Sequence, residues 1–405
     1  MTKCRICKGK LIKIVDLGKI SLVGEFTRKI IKQKKYKISI NFCSDCKHMQ
    51  IAEILNPNLL FKKYLWETGV STSNIKLIKN LLKKIKKYGI SKKSKVFEIA
   101  SNDGTFLNLI NNKYHCLAVG IDPAENFKKK IRKKNIFTIV NYFNQDQSKK
   151  IKKQFKTFDY IIARNVLAHV PDPNQIFKGV KNLLSKNGKF IVEVPHLDNI
   201  IRHNQYDNIF HEHIGFHSLK SIIDLSNKHN LKVVDVDKIE SQGGSIRCLI
   251  GHKNTSEKIS NKIKIVINSE KKLGLYSAIK LKKFKTKIIL HIKKLKRLLF
   301  NLKKKQKKIS IYGASGKGQA LMQFCNIDNK IVDYVFDKSK LKQGLFTPGT
   351  QIKIKNSYDI KKTNIHYLLL LSWNLKKEII NQEKNFIKNG GRFIIPFPSP
   401  KILKR

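Results

Sequence analysis

The stretch SKVFEIASNDGTFLNLI, residues 94–110, changes periodicity twice in seventeen positions. Residues 96–99 form a short, mostly apolar run, the pattern of a buried strand. Residues 100–104 (Ala, Ser, Asn, Asp, Gly) are small and turn-forming, and from Thr105 the apolar positions recur at helical spacing. Working outward, a second strand is expected at 116–121, closed by Asp122-Pro123. A third run covers 158–170 (FDYIIARNVLAHV) and a fourth 188–195 (GKFIVEVP). Buried strands alternating with helices predict a doubly wound, Rossmann-like α/β sheet.

Ligands of such sheets sit at the carboxyl ends of the strands. Glu98 and Asp122 end the first two, and a carboxylate after the second strand commonly takes ribose hydroxyls. A dehydrogenase would show G-x-G-x-x-G at the first turn, whereas only Gly104 is present. An acidic loop with one glycine suits a cationic adenosyl ligand better than a pyrophosphate, and S-adenosylmethionine (SAM) is the natural candidate.

Upstream, CRIC and FCSDC place Cys4, Cys7, Cys43 and Cys46 in two C-x-x-C knuckles about 35 residues apart. Four thiolates can close on one tetrahedral Zn²⁺ with no open position, a structural site rather than a catalytic one. Residues 57–90 are predicted helical, with a break near 69–71. Downstream, 253–308 is Lys-rich with apolar residues three and four apart, an amphipathic connector that packs one face on its own domains. KISIYGASGKGQALMQF (308–324) restarts a strand, Gly-rich turn and helix, the geometry of a phosphate or nucleotide cradle. It fails the P-loop pattern because Gln319 follows Gly318. The expected division is a zinc module at 1–56, a SAM-binding domain with N-terminal helices at 57–252, a connector at 253–307 and a C-terminal Rossmann-like α/β domain at 308–405.

The net charge of +56 invites a nucleic-acid reading, and a zinc-containing nucleic-acid binder is the rival from another class. Only nine of the 84 basic residues are Arg, and Lys is spread along nearly the whole chain. Ile and Asn are abundant too, so a coding bias toward AT-rich codons accounts for the charge, and no specific nucleic-acid partner is expected. Seven cysteines without a secretion signal argue against a disulfide framework. With no apolar run of membrane-spanning length, a cytoplasmic protein without a membrane span is expected, either a monomer or a homodimer.

Taken in order, the paired knuckles, EIASNDGTFL, GIDPAEN, RNVLAHVPD, EVPHLDN, HEHIGFHSL, QGGSIR, IYGASGKGQAL, KQGLFTPG, SWNLKKEI and GGRFIIPFP resemble the SAM-dependent C-methyltransferases that act on nucleotide-activated deoxysugars. The resemblance covers nearly the whole chain and is weakest at 10–40 and in the connector. It implies zinc ligands at Cys4, Cys7, Cys43 and Cys46. It implies SAM contacts at Glu98, Ala100, Asn102, Asp103, Gly104, Asp122 and Asn165, and catalytic roles for Tyr64, His169, Glu212 and His213. The nucleotide sugar would lie between the central and C-terminal domains. One position departs from the family pattern: Phe210 stands where a tyrosine precedes the Glu-His pair by two residues.

C-methylation needs a carbanion-like carbon, which a ketone provides by spreading charge onto its oxygen. The enzyme then needs a base of near-neutral pKa and a stabiliser for the enolate. His213 is the expected base, Glu212 orients it or holds a sugar hydroxyl, and Tyr64 and His169 hydrogen-bond the enolate or pass protons. Arg247, in a tight turn, either faces a diphosphate or stabilises the turn. His213 and His217 are four apart and could share a helical face, yet HExxH fails because Gly215 holds the second His position.

Overall fold

The computed structural model describes residues 3–61, 67–127 and 134–403, so Tyr64 lies outside the described residues. Three sheets organise the described residues. The first is antiparallel and begins with β1 (Leu11–Ser21), β2 (Lys35–Cys43) and β3 (Met49–Ile51).

The second holds β4 (Lys95–Ile99), β5 (Leu117–Asp122), β6 (Ile136–Val140), β7 (Phe158–Arg164) and β8 (Leu184–Pro195), all parallel. The chain then sends β9 (Gly215–Phe216) back to pair with β3, so the first sheet runs β1-β2-β3-β9. It returns through β10 (Leu231–Ile239) and β11 (Ser245–His252) to complete the order β10-β11-β8-β7-β4-β5-β6, with β11 antiparallel to both neighbours. Phe97, Ile99, Val119 and Ile121 pack on one face of this sheet, while Val96, Ala118 and Ile162 pack on the other. Both faces are apolar because helices cover both, which is why the strands read as near-continuous runs.

The third sheet contains β12 (Ile309–Tyr312), β13 (Val335–Asp337), β14 (Ile354–Asn356), β15 (Tyr367–Leu370), β16 (Arg392–Ile395) and β17 (Lys401–Ile402), in the order β14-β13-β12-β15-β16-β17. Only β17 is antiparallel. The 27-residue helix Ala278–Lys304 lies against β1 and β12 and buries Leu281, Phe284, Ile288, His291, Leu295 and Leu299 at three- and four-residue spacing. The helix Lys262–Leu273 is anchored by fully buried Glu270, which accepts from His196 Nε2 at 2.7 Å and the Tyr276 hydroxyl at 2.7 Å. Among the described residues, no helix is long and apolar enough to cross a membrane.

Two local expectations change. The run 158–170 is strand only to Arg164, because Asn165 adopts φ 56° and a 3₁₀ turn, Leu167–His169, follows. Residues 211–217 form turns and β9 rather than a helix, so the spacing of His213 and His217 does not put them on a shared face.

Candidate active site

A cleft of about 1020 Å³ opens where the three sheets meet. Its first wall is the loop after β4. Ala100, Asn102 and Gly104 have φ of 56°, 51° and 73°, and this left-handed course turns the chain sharply into the helix Thr105–Tyr114. Asp122, at the end of β5, secures the loop: its Oδ2 accepts from the Asn102 amide and its Oδ1 from the Ala124 amide, each at 2.8 Å. Burial raises the Asp122 pKa, and each oxygen retains a lone pair for a ligand hydroxyl. Asn102 Oδ1 in turn accepts from the Thr68 amide at 3.0 Å.

Ala100, Asn102, Asp122 and Asn165 line the cleft; Glu98, Asp103 and Gly104 do not. Glu98 is buried below the floor, pushed up to about 7 by burial, and its Oε1 accepts from Arg164 Nη2 at 2.8 Å. Asp103 accepts from the Gly69 amide at 2.8 Å and from Thr105, so it braces the loop. Asn165 Oδ1 is buried with no hydrogen-bond partner among the described residues.

The second wall carries two imidazoles. His213 Nδ1–H donates to the Asn208 carbonyl at 2.9 Å, and His169 Nδ1–H donates to the Glu212 carbonyl at 2.8 Å. A carbonyl oxygen only accepts, so in the neutral rings the lone pair is on Nε2 in both. The ring centroids are 4.8 Å apart at 67°. Phe210 lies 4.2 Å from His213, tilted by 34°. Burial brings His169 down to about 4. His213 is held well below 6.5 by burial and by the nearby His169 and Lys317. Both are neutral acceptors at pH 7. Glu212 also lines the cleft.

Residues 4–61 match a zinc binding domain family, 70–236 a methyltransferase domain family, and 240–398 a C-methyltransferase C-terminal domain family. C-methyltransferase NovU of Streptomyces niveus is 29% identical over 99% of this chain and 96% of its own length. Together these matches support a SAM-dependent methyltransferase. Among solved structures, a protein of Pyrococcus horikoshii OT3 is 21% identical, covering 49% of the enzyme and 97% of its own chain at a TM-score of 0.37. Magnesium protoporphyrin IX methyltransferase of Synechocystis, solved with SAM, is 9% identical, covering 44% of the enzyme and 78% of its own chain at a TM-score of 0.33.

SAM suits the first wall of the enzyme: Asp122 offers acceptors to a ribose, and the unpartnered Asn165 Oδ1 offers one to a cationic or N–H group. Zinc suits the cysteines equally well. The Sγ atoms of Cys4, Cys7, Cys43 and Cys46 all lie within 4.8 Å of one another, with Cys4–Cys46 at 3.5 Å and Cys7–Cys43 at 3.4 Å. A tetrahedral Zn²⁺ with bonds of about 2.3 Å sets its sulfurs about 3.8 Å apart, close to that arrangement.

The remaining histidines stay out of the cleft wall. His211 is buried edge-on to Tyr36 at 5.7 Å, and His217 packs on His48 at 4.6 Å behind the zinc module. Arg247 lies in β11 rather than in the turn, and its buried pair with Glu193 of β8 at 2.6 Å ties two strands together instead of stabilising a turn or meeting a diphosphate. The residue missed in the sequence is Lys317, which lines the cleft from the first turn of the helix that follows β12. Its signal was the Gly-rich turn itself, read there only as backbone.

Proposed function

We propose that the enzyme methylates a carbon beside the ketone of a nucleotide-activated 4-keto deoxysugar. The observation that carries this reading is the pair of neutral imidazoles, His213 and His169, set in one cleft with the loop that suits SAM. His213 Nε2 takes the proton from the carbon next to the ketone. The C–H electron pair becomes a carbon–carbon double bond, and the carbonyl π pair moves to oxygen. Bound against the loop after β4, SAM would supply an electrophilic methyl group, its S–CH₃ bond breaking onto sulfur as the enolate's carbon–carbon π pair forms the new bond and the ketone is restored. Asn208 keeps the base in register through the Nδ1 bond, and Glu212 accepts from a sugar hydroxyl. His169, an acceptor at Nε2, takes a hydroxyl hydrogen or relays a proton. Tyr64 keeps the hydrogen-bonding role that the family resemblance implies.

The test is incubation of the full-length enzyme with SAM and a panel of 4-keto-6-deoxy nucleotide sugars, followed by mass. A gain of one methyl group on carbon is expected with at least one of them. No gain on any sugar, or transfer to a hydroxyl instead, overturns the reading.

A further inference from the structure

Deprotonating a ketone leaves a negative oxygen that needs a hydrogen-bond donor, and the imidazole wall lacks one. Both rings donate their Nδ1 hydrogen to backbone carbonyls, which leaves Nε2 as an acceptor in the neutral forms. Phe210, packed over His213, has no hydroxyl. Tyr64, outside the described residues, is the neutral donor that the family resemblance implies, and a charged donor has to come from elsewhere in the cleft.

Four cationic side chains line it among the described residues: Arg164, Lys317, Lys338 and Lys342. Arg164 is committed to Glu98 through both Nε and Nη2. Lys342 donates to the Ala314 carbonyl at 2.9 Å and lies over Phe26, while Lys338 is exposed. Lys317 differs from these. It is only 7% exposed, and its Nζ makes one hydrogen bond, to the Gln242 carbonyl at 2.7 Å. Two of its three hydrogens remain for a ligand. It stands in the first turn of the helix Gly316–Phe324, next to Gly316, where an added methyl would come within 3.5 Å of the Phe210 ring. Its charge is close enough to His213 to depress that imidazole.

The cation is buried with an incomplete counter-charge. Asp207 is fully buried and attracts Lys317, yet its Oδ2 accepts from Trp373 Nε1 at 2.7 Å and its Oδ1 has no hydrogen-bond partner among the described residues. Burial brings Lys317 down to about 8 despite Asp207, so it is protonated at neutral pH and gains when an anion forms beside it.

We propose that Lys317 is a catalytic residue that holds the negative oxygen of the deprotonated ketone, so that the C-terminal sheet takes part in the chemistry as well as in binding. In this step the C–H bond breaks, its proton goes to His213 Nε2, and the carbonyl π pair goes to oxygen. The ammonium keeps all three hydrogens and donates one in a hydrogen bond. The assignment rests on the keto-sugar reading above.

The experiment follows deuterium uptake beside the ketone without SAM, and kcat and KM with SAM, for the full-length wild type, Lys317→Met and Lys317→Arg on a 4-keto-6-deoxy nucleotide sugar. Loss of one preorganised donor costs about 10²–10³-fold. Lys317→Met should slow exchange and kcat by about that factor with KM little changed, and Lys317→Arg should recover at least about tenfold. Wild-type exchange should decline above pH about 8, where the ammonium is lost, and Lys317→Arg should keep its rate there. SAM affinity measured by calorimetry reports on folding of both variants. Should Lys317→Met not fold, the alkaline limb and its loss in Lys317→Arg carry the test alone. Exchange unchanged in Lys317→Met, or a tenfold rise in KM with saturated exchange intact, overturns the assignment, the latter placing the cation on the substrate phosphates. A wild type that exchanges nothing overturns the keto-sugar reading itself.

Discussion

His213 hands its Nδ1 hydrogen to the Asn208 carbonyl, and this single bond decides which nitrogen can act as a base. Burial then keeps the ring neutral, which costs basicity but ensures that the lone pair is present at every ordinary pH. Replacing His213 with Ala should slow SAM-independent exchange beside the ketone by about 10²-fold or more. Exchange as fast as wild type would remove His213 from the role. The wild-type rate should also hold from pH 7 down to 6, because His213 titrates well below 6.5. A fall centred at 6.5 would contradict that environment. HEHIGFH showed where the titratable groups cluster. It did not show that His217 turns away to pack on His48, because a strand and a helix project alternate side chains differently and seven residues do not say which is present.

The helix Ala278–Lys304 illustrates how far periodicity reaches. Its apolar residues predicted an amphipathic helix with one packed face, and Leu281, Phe284, Ile288, Leu295 and Leu299 are that face. Its partners, β1 and β12, are far apart in sequence, and no pattern named them. Phe284→Ala should destabilise the enzyme by about 3–5 kcal/mol, read from urea unfolding, because it leaves a cavity between this helix and the sheets it lies on. A loss below about 1 kcal/mol would mean that the face is not packed there. The two-residue strand β9 was invisible for a related reason: its pairing with β3 is long-range and leaves no local signature.

At the scale of the whole molecule, stability should depend on acid and on metal. His169, His211 and His217 are each brought down to about 4 by burial, against about 6.5 in the unfolded chain. Between those values the unfolded chain binds more protons, so stability is full above pH 6.5 and is lost as pH falls toward 4. Several such groups should give a slope steeper than the roughly 1.4 kcal/mol per pH unit of a single proton, measured by denaturant titrations at stepped pH. A slope at or below that value would place these rings in contact with water. Zinc removal should act on the first sheet, since Cys43 ends β2 and Cys46 precedes β3. One Zn²⁺ per chain is expected by elemental analysis. Chelation should lower the melting temperature and raise amide exchange in β1–β3 before β4–β8. Unchanged exchange in β1–β3 after metal loss would show that the sheet holds without it.

Local patterning was enough to read the strand–loop–helix of residues 94–110, the repeat of that unit at 308–324, the cysteine knuckles and the amphipathic connector. Each is written in neighbouring residues, through periodicity, turn chemistry or ligand spacing. Tertiary structure alone decided that Arg247 pairs with Glu193, that Glu98 lies beneath the cleft floor, and that Lys317 comes to stand near His213. These depend on contacts between segments up to about a hundred residues apart, and on burial, which sets both the charge state and the available hydrogen bonds of a side chain. For residues 94–110 the fold was legible in the letters, but which of them line the cleft was not.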